Sequence, residues 1–140
     1  MGRSVSTFTF PLDHKQSRVG WISDPKIPLE ILTKSGFQSY RFLVDTGADY
    51  SMLPFHMAED AGVDLRSCDR GKSIGIEGAG IDVYFTSLTF RFGGKLVLPL
   101  RCIITKSDQT PFLLGRVDIF DRFDLLFKNV KESICLKDIA

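Results

Sequence analysis

Phe42-Leu43-Val44-Asp45-Thr46-Gly47-Ala48-Asp49 is the stretch on which the predicted fold of this 140-residue sequence depends. An apolar run, of the kind that fills a buried strand, ends abruptly in a carboxylate, a hydroxyl and a glycine. Gly47 permits either a positive φ or a close approach of the backbone, as a sharp turn after Asp45 requires. A carboxylate at the end of a buried strand is costly unless hydrogen bonds or an ion pair compensate, so such positions are often functional. The stretch therefore predicts a buried strand that delivers one acid to a tight loop.

The composition is that of a globular protein. Hydrophobic residues make up 44% of the chain, and 18 basic and 17 acidic residues leave a net charge of +1. The charges are interspersed, without the clustered basic face that nucleic acid or an anionic membrane would attract, so neither is a predicted partner. No apolar run approaches the roughly 18 residues that span a bilayer. We expect one domain, residues 1–140, with an N-terminal arm over residues 1–18.

Cysteine and histidine spacing argues against a metal or disulfide framework. Cys68, Cys102 and Cys135 are odd in number, far apart and never in a C-x-x-C arrangement. His14 and His56 lack a metal-ligand spacing such as H-E-x-x-H. No apolar leader opens the chain. The prediction is a cytoplasmic protein with reduced thiols, no metal and no cofactor.

Strands dominate the first half of the predicted structure. Ser4–Phe10 is a short strand of the arm, which could pair with a second chain. Ile27–Thr33 and Phe37–Val44 form a hairpin whose second strand runs straight into Asp45. Pro54–Ala61 is a short helix, with proline in its first turn and a glycine placed to end it.

The next predicted hairpin has a glycine-rich tip, Glu77-Gly78-Ala79-Gly80, and begins near Ile74. The tip is either a mobile flap or a plain hairpin turn. Apolar residues alternate with polar ones from Ile81 to Phe85, and they alternate in the opposite phase from Leu88 to Phe92. This change of phase predicts a bend or bulge between the two segments.

A second apolar run that ends in glycine, Phe112-Leu113-Leu114-Gly115-Arg116, follows 70 residues after the first. Apolar residues at i, i+3 spacing in 117–123 predict a short helix behind it. Leu125–Phe127 and Ile134–Leu136 predict a closing hairpin.

Together, Phe42–Asp49, the glycine-rich hairpin and Phe112–Arg116 resemble a retropepsin-type aspartic protease over nearly the whole chain. The resemblance implies an all-β, single-lobe, β-barrel-like acid-protease fold with one or two short helices. In that family one chain supplies one aspartate, so the resemblance also implies a homodimer. Residues 117–127 depart from the viral members and resemble the helix and closing hairpin of a pepsin-like lobe.

The resemblance assigns roles by position. It makes Asp45 the catalytic carboxylate, Thr46 the residue that ties two loops together across the dimer axis, and Gly47 the residue that lets backbone approach the substrate. Gly115 and Arg116 are structural support, and Arg116 pairs with the acid that follows the D-T-G-A segment. The substrate-contacting residues that it implies are Ala48, Asp49, Ile76, Glu77, Gly78, Ala79 and Gly80.

Less specific roles remain open for the same residues. Asp45 could be a loop-capping acid, Asp49 could cap the helix region that starts at Pro54, and Arg116 could be a plain surface cation.

The implied function is an aspartic endopeptidase. A water held between the two Asp45 carboxylates of a homodimer would be activated by general acid/base catalysis and would attack an extended peptide segment. The alternative is a non-catalytic dimeric peptide-binding or scaffolding domain of the same fold, favoured only if Asp45 fails to reach its mate.

Overall fold

The computed structural model describes residues 6–74 and 80–139, and strands dominate it. This confirms the predicted all-β fold class. Among the described residues, the helical segments are α1 (His56–Asp60) and a 3-10 turn (Leu65–Ser67). The strands, in chain order, are β1 (Thr7–Pro11), β2 (Asp13–Ser17), β3 (Gly20–Asp24), β4 (Lys26–Thr33), β5 (Gly36–Val44), β6 (Ser51–Leu53), β7 (Asp69–Ile74), β8 (Gly80–Phe92), β9 (Leu96–Thr105), β10 (Leu113–Leu114), β11 (Phe123–Lys128) and β12 (Ser133–Asp138).

Six strands close into a barrel-like sheet. Their order is β4-β5-β10-β6-β9-β8, and β7 continues the sheet beyond β8. The ring closes because β4 also pairs with β8, through Glu30 opposite Arg91 and Ile31 opposite Phe90. The predicted β4–β5 hairpin is confirmed, with Thr33 opposite Gly36 at its turn. No helix among residues 6–74 and 80–139 is long and apolar enough to cross a membrane.

The core anchors the strand that leads to the acid. Phe42 is fully buried, and its ring centroid lies 5.6 Å from that of Phe90 and 5.3 Å from that of Phe112. Full burial of a side chain of this size contributes about 1.5–3 kcal/mol. Packing of Phe42 in the barrel interior therefore holds the end of β5 in place. The other largest fully buried side chains are Phe92, Ile27, Leu29, Ile31, Leu53, Met57, Leu100, Ile104, Leu114 and Ile119.

The two ends of the chain meet in a separate three-stranded sheet, ordered β1-β12-β11. Phe8 lies opposite Leu136 and Phe10 opposite Ile134, and all four side chains are buried. The predicted closing hairpin is confirmed as β11 and β12. The strand of the predicted arm thus has a partner in its own chain.

Of the bend or bulge predicted within β8, the bulge is wrong. Pairing with β9 runs without interruption from Val83 opposite Thr105 to Phe92 opposite Leu96. The alternation of apolar residues changes phase because the two halves of this continuous strand place their apolar side chains on opposite faces. Leu88, Phe90 and Phe92 point into the core, whereas Val83 and Phe85 lie on the other face.

The helix predicted over 117–123 is also wrong, since residues 117–122 form consecutive turns and Phe123 begins β11. The N–H groups of Ile119 and Phe120 both donate to the Arg116 carbonyl, and that of Phe123 donates to the Ile119 carbonyl. Asp118 has φ of 65°. Because a left-handed residue cannot propagate a right-handed helix, the helical spacing stops at isolated turns.

Candidate active site

Asp45 directly follows β5, and the backbone around it is bonded to two neighbouring segments. The N–H of Val44 donates to the Pro25 carbonyl at 2.9 Å, and that of Asp45 donates to the Leu114 carbonyl at 3.0 Å. Val44 is 7% exposed, while Asp45 is half-buried. The buried strand therefore delivers the carboxylate to the surface from a fixed backbone, as the sequence predicts.

A short loop turns away from the barrel after this strand. The Gly47 N–H donates to Oδ1 of Asp45 at 3.0 Å, and the Ala48 N–H donates to the Asp45 carbonyl at 3.2 Å. Thr46 and Gly47 are exposed. Gly47 has a φ outside the left-handed region, and a Cβ built on it would lie 3.4 Å from Asp45 Oδ1, an ordinary contact. Among the described residues, neither the positive φ nor the close backbone approach predicted for this glycine is present.

The structure brings Asp49 and Arg116 together. The guanidinium of Arg116 donates to the carboxylate of Asp49, and both side chains are substantially exposed. An exposed pair of this kind contributes little to stability, typically below about 1 kcal/mol. Backbone bonds tie the same segments more firmly: the Arg116 N–H lies 3.0 Å from the carbonyls of Ala48 and Asp49, and the Val117 N–H lies 2.8 Å from that of Asp49.

Gly115 fits where no side chain could. A Cβ built there would lie 2.4 Å from the carbonyl carbon and oxygen of Tyr50 and 2.8 Å from the nitrogen of Ser51. The Gly115 N–H donates to Oγ of Ser51 at 3.0 Å, and Ser51 is fully buried. Sequence reasoning missed Ser51. A lone hydroxyl beside the apolar pair Met52-Leu53 was the available signal, because a buried hydroxyl needs a bonding partner.

An open cleft of about 450 Å³ adjoins the loop. Its lining comes from the loop and from β6, β7, β8 and β9, with Met52 of β6 paired to Ile103 of β9. The rings of Tyr50 and Phe85, both in the lining, meet edge to face with centroids 5.4 Å apart. Its walls are largely apolar, as an apolar peptide side chain would require. The lining residues are Gly47, Ala48, Asp49, Tyr50, Met52, Lys72, Val83, Phe85 and Ile103.

The predicted substrate-contacting residues fall into three groups. Ala48 and Asp49 line the cleft. Gly80 is the first residue of β8 and lies opposite Ile74, so the β7–β8 hairpin is present up to its tip. Ile76, Glu77, Gly78 and Ala79 lie outside the described residues.

Other reactive groups are poor candidates. Burial raises the pKa of the Cys102 thiol to about 12, which keeps it protonated and unsuited to nucleophilic attack. Residues 6–74 and 80–139 contain no group of three or more His, Cys, Asp or Glu that could hold a metal ion. Asp45 is thus the strongest candidate for chemistry in the described chain.

Comparison with known proteins shows the family and the fold. A sequence model of the family described as "Aspartyl protease" matches residues 28–117. A retropepsin-like aspartic protease from Rickettsia conorii has a similar structure, with a TM-score of 0.63 and 17% identity over 99% of this chain and 97% of that chain. The retroviral protease-like domain of Ddi1 from Leishmania major aligns with a TM-score of 0.56 and 16% identity, over 78% of this chain and 84% of that chain. Among curated protein sequences, none matches.

The family match covers more than half of the chain and spans the D-T-G stretch together with Gly115-Arg116. The similar structures agree with it in fold. The chain therefore belongs to the aspartyl protease family and has the retropepsin-like fold that its sequence predicts.

Proposed function

We propose that the chain is an aspartic endopeptidase that acts as a homodimer. The placement of Asp45 carries the proposal: its backbone is fixed by Leu114, its carboxylate accepts the Gly47 N–H, and the exposed loop holds it at the surface beside the cleft. One chain supplies one such carboxylate. A reaction that needs both an acid and a base therefore needs two chains, with Thr46 and Gly47 at their contact.

The chemistry follows from two carboxylates held close together. They cannot both ionise readily, so the pair shares a proton. The ionised Asp45 removes a proton from a water between them, the water oxygen bonds to the peptide carbonyl carbon, and the protonated Asp45 donates to the carbonyl oxygen. The resulting gem-diol then collapses: the Asp45 that is now ionised takes a proton from one hydroxyl, the other Asp45 donates its proton to the nitrogen, and the C–N bond breaks to give a carboxylic acid and an amine.

The cleft indicates the class of substrate. Met52, Val83, Phe85 and Ile103 present apolar surface to it, so apolar peptide side chains fit there. The edge strand β7 contributes Lys72 to the cleft, which suits a peptide bound in extended form through backbone hydrogen bonds. The β7–β8 hairpin would cover that peptide as a flap.

Replacing the acid tests the reaction. Asp45→Asn is nearly isosteric but removes the base and the shared proton, so peptide cleavage should fall by at least about a hundredfold. Sedimentation should show an unchanged assembly. Asp124→Asn, on an exposed position of β11, is the control and should keep full activity. Cleavage by Asp45→Asn within tenfold of wild type would refute the proposal. A wild type that binds a statine-type mimic without cleaving peptides would favour the peptide-binding alternative.

Enzyme dilution tests the homodimer separately. Each chain alone is inert under the proposal, so the initial rate should rise with the square of enzyme concentration when the enzyme is dilute. It should become linear once dimers saturate. Strict linearity across the dissociation range measured by sedimentation would contradict a two-chain site.

A further inference from the structure

Asp118, in the turn after Gly115, is held to the barrel by an ion pair and hydrogen bonds with Arg101. Its Oδ2 accepts the backbone N–H of Arg101 at 2.8 Å and the side-chain Nε–H at 3.1 Å, while its Oδ1 accepts Nη2 at 2.8 Å. Both carboxylate oxygens are therefore engaged. We call this contact the Arg101–Asp118 clasp.

The clasp is one residue away from the bonds that hold the acid loop. The N–H groups of Arg116 and Val117 donate to the carbonyls of Ala48 and Asp49, the last two residues of the D-T-G-A-D segment. Asp118 follows immediately. Because Arg101 belongs to β9, whose next residue pairs with Ser51 of β6, the clasp joins this turn to the rigid sheet beside the loop.

The conformation of Asp118 indicates that the clasp fixes a specific geometry. A φ of 65° is unfavourable for an L-residue, although aspartate tolerates it better than most. The hydrogen bonds from Arg101 offset that cost. They also lower the pKa of the Asp118 carboxyl below its ordinary value, while partial burial acts in the opposite direction. The carboxylate thus stays charged, and the clasp intact, in mildly acidic solution.

We propose that Arg101 and Asp118 are positioning residues for the loop that carries Asp45. The clasp holds residues 116–118 in the one conformation in which two N–H groups meet the carbonyls at 48 and 49. The direction of the Asp45 carboxylate then depends on a contact remote from it. The expected effect of the clasp on catalysis rests on the proposed function. Its effect on the conformation of the loop does not.

Two substitutions at Asp118 distinguish the effect of its positive φ from the effect of its hydrogen bonds to Arg101. Asp118→Gly accepts the positive φ without strain but removes both carboxylate oxygens. Asp118→Asn tolerates the same φ and keeps one acceptor oxygen. Arg101→Gln removes the guanidinium while leaving Asp118 in place, and serves if the glycine variant does not fold.

The chain offers a matched control in Glu30 and Arg91. Nε of Arg91 donates to Oε1 of Glu30 at 3.0 Å and Nη2 donates to Oε2 at 2.5 Å, the same two-pronged geometry. This pair links β4 to β8, away from the acid loop. Glu30→Ala therefore removes both acceptor oxygens, as Asp118→Gly does, and Glu30→Gln keeps one, as Asp118→Asn does, and neither variant touches the turn.

The first readout is hydrogen exchange at the amides of Arg116 and Val117. Exchange should accelerate by at least about tenfold in Asp118→Gly and Arg101→Gln, and less in Asp118→Asn, because the turn opens locally. In Glu30→Ala and Glu30→Gln it should stay within about twofold of wild type. Unchanged exchange at these amides in folded Asp118→Gly would overturn the proposal.

The second readout is the division of the effect between kcat and KM. A misdirected carboxylate lowers kcat, and we expect a loss of at least about fivefold with KM within about twofold for Asp118→Gly. Asp118→Asn should recover part of the loss. If Glu30→Ala lowers kcat equally, the effect is one of general stability and the positioning role is refuted. If wild type itself cleaves nothing, the proposed function fails, and the exchange rates still decide whether the clasp holds the loop.

Discussion

Gly47 and Gly115 occupy comparable positions, each just after an apolar run that ends a strand, yet the structure explains only one of them. A Cβ at Gly115 would lie 2.4 Å from the Tyr50 backbone, far inside contact distance. Among the described residues, a Cβ at Gly47 would meet only Asp45, at 3.4 Å, and the position is exposed. Packing within the described part of the chain thus requires the second glycine and not the first. If a substrate or a second copy must approach Gly47 closely, the proposed function supplies the reason for this glycine.

The largest effect should come from Gly115→Ala. The new methyl group would overlap backbone atoms that cannot move without displacing β6, so we expect the free energy of unfolding to fall by about 3 kcal/mol or more. Urea denaturation measures it. Gly94→Ala is the control: Gly94 has φ of 68° with open space around its Cβ among the described residues, so strain alone should cost about 1–2 kcal/mol. Equal losses in the two variants would remove the distinction between the two strand-end glycines.

Gly47→Ala should give the opposite profile. The methyl group fits within one chain, so the free energy of unfolding should change by less than about 0.5 kcal/mol. Peptide cleavage should fall by at least about tenfold if a substrate or a second loop must approach this backbone closely. The same denaturation curves, with kcat/KM, decide it. A stable and fully active variant would show that glycine is not needed there at all.

The smallest effect is expected one residue further, at Ala48. Its N–H bonds to the Asp45 carbonyl and its side chain faces the cleft. A hydroxyl in Ala48→Ser can donate to the carboxylate and favour its charged form, which then persists to lower pH. The acidic limb of the kcat/KM profile should move to lower pH, by less than about one pH unit. A limb that stays in place or moves upward would show that this side chain does not reach the carboxylates.

Sequence reasoning succeeded where local pattern and local structure agree. The alternation across β4 and β5, with glycine at the turn, predicted the hairpin that leads to Asp45. The resemblance of Phe42–Asp49, the glycine-rich hairpin and Phe112–Arg116 to retropepsin-type proteases predicted the family. The hairpin is visible because neighbouring residues in the sequence carry its whole signal.

Sequence reasoning failed where residues distant in the sequence determine the local structure. In β8 the exchange of the apolar face follows from what packs on each half, which no alternation pattern can reveal. In the turns at 117–122, Asp118 bonds to Arg101, which lies 17 residues away in sequence. Ser51 depends likewise on Gly115, which lies 64 residues away. Contacts of this length leave no periodic signature in the chain.

The divided faces of β8 bear on how this protein can diverge in evolution. Val83 and Phe85 line the cleft, whereas Leu88, Phe90 and Phe92 belong to the core cluster. A lineage can therefore vary the shape of the cleft at the first two positions while the last three continue to specify the barrel. Selection for new preferences and selection for a folded chain act on separate segments of one strand, which leaves each free to change at its own pace.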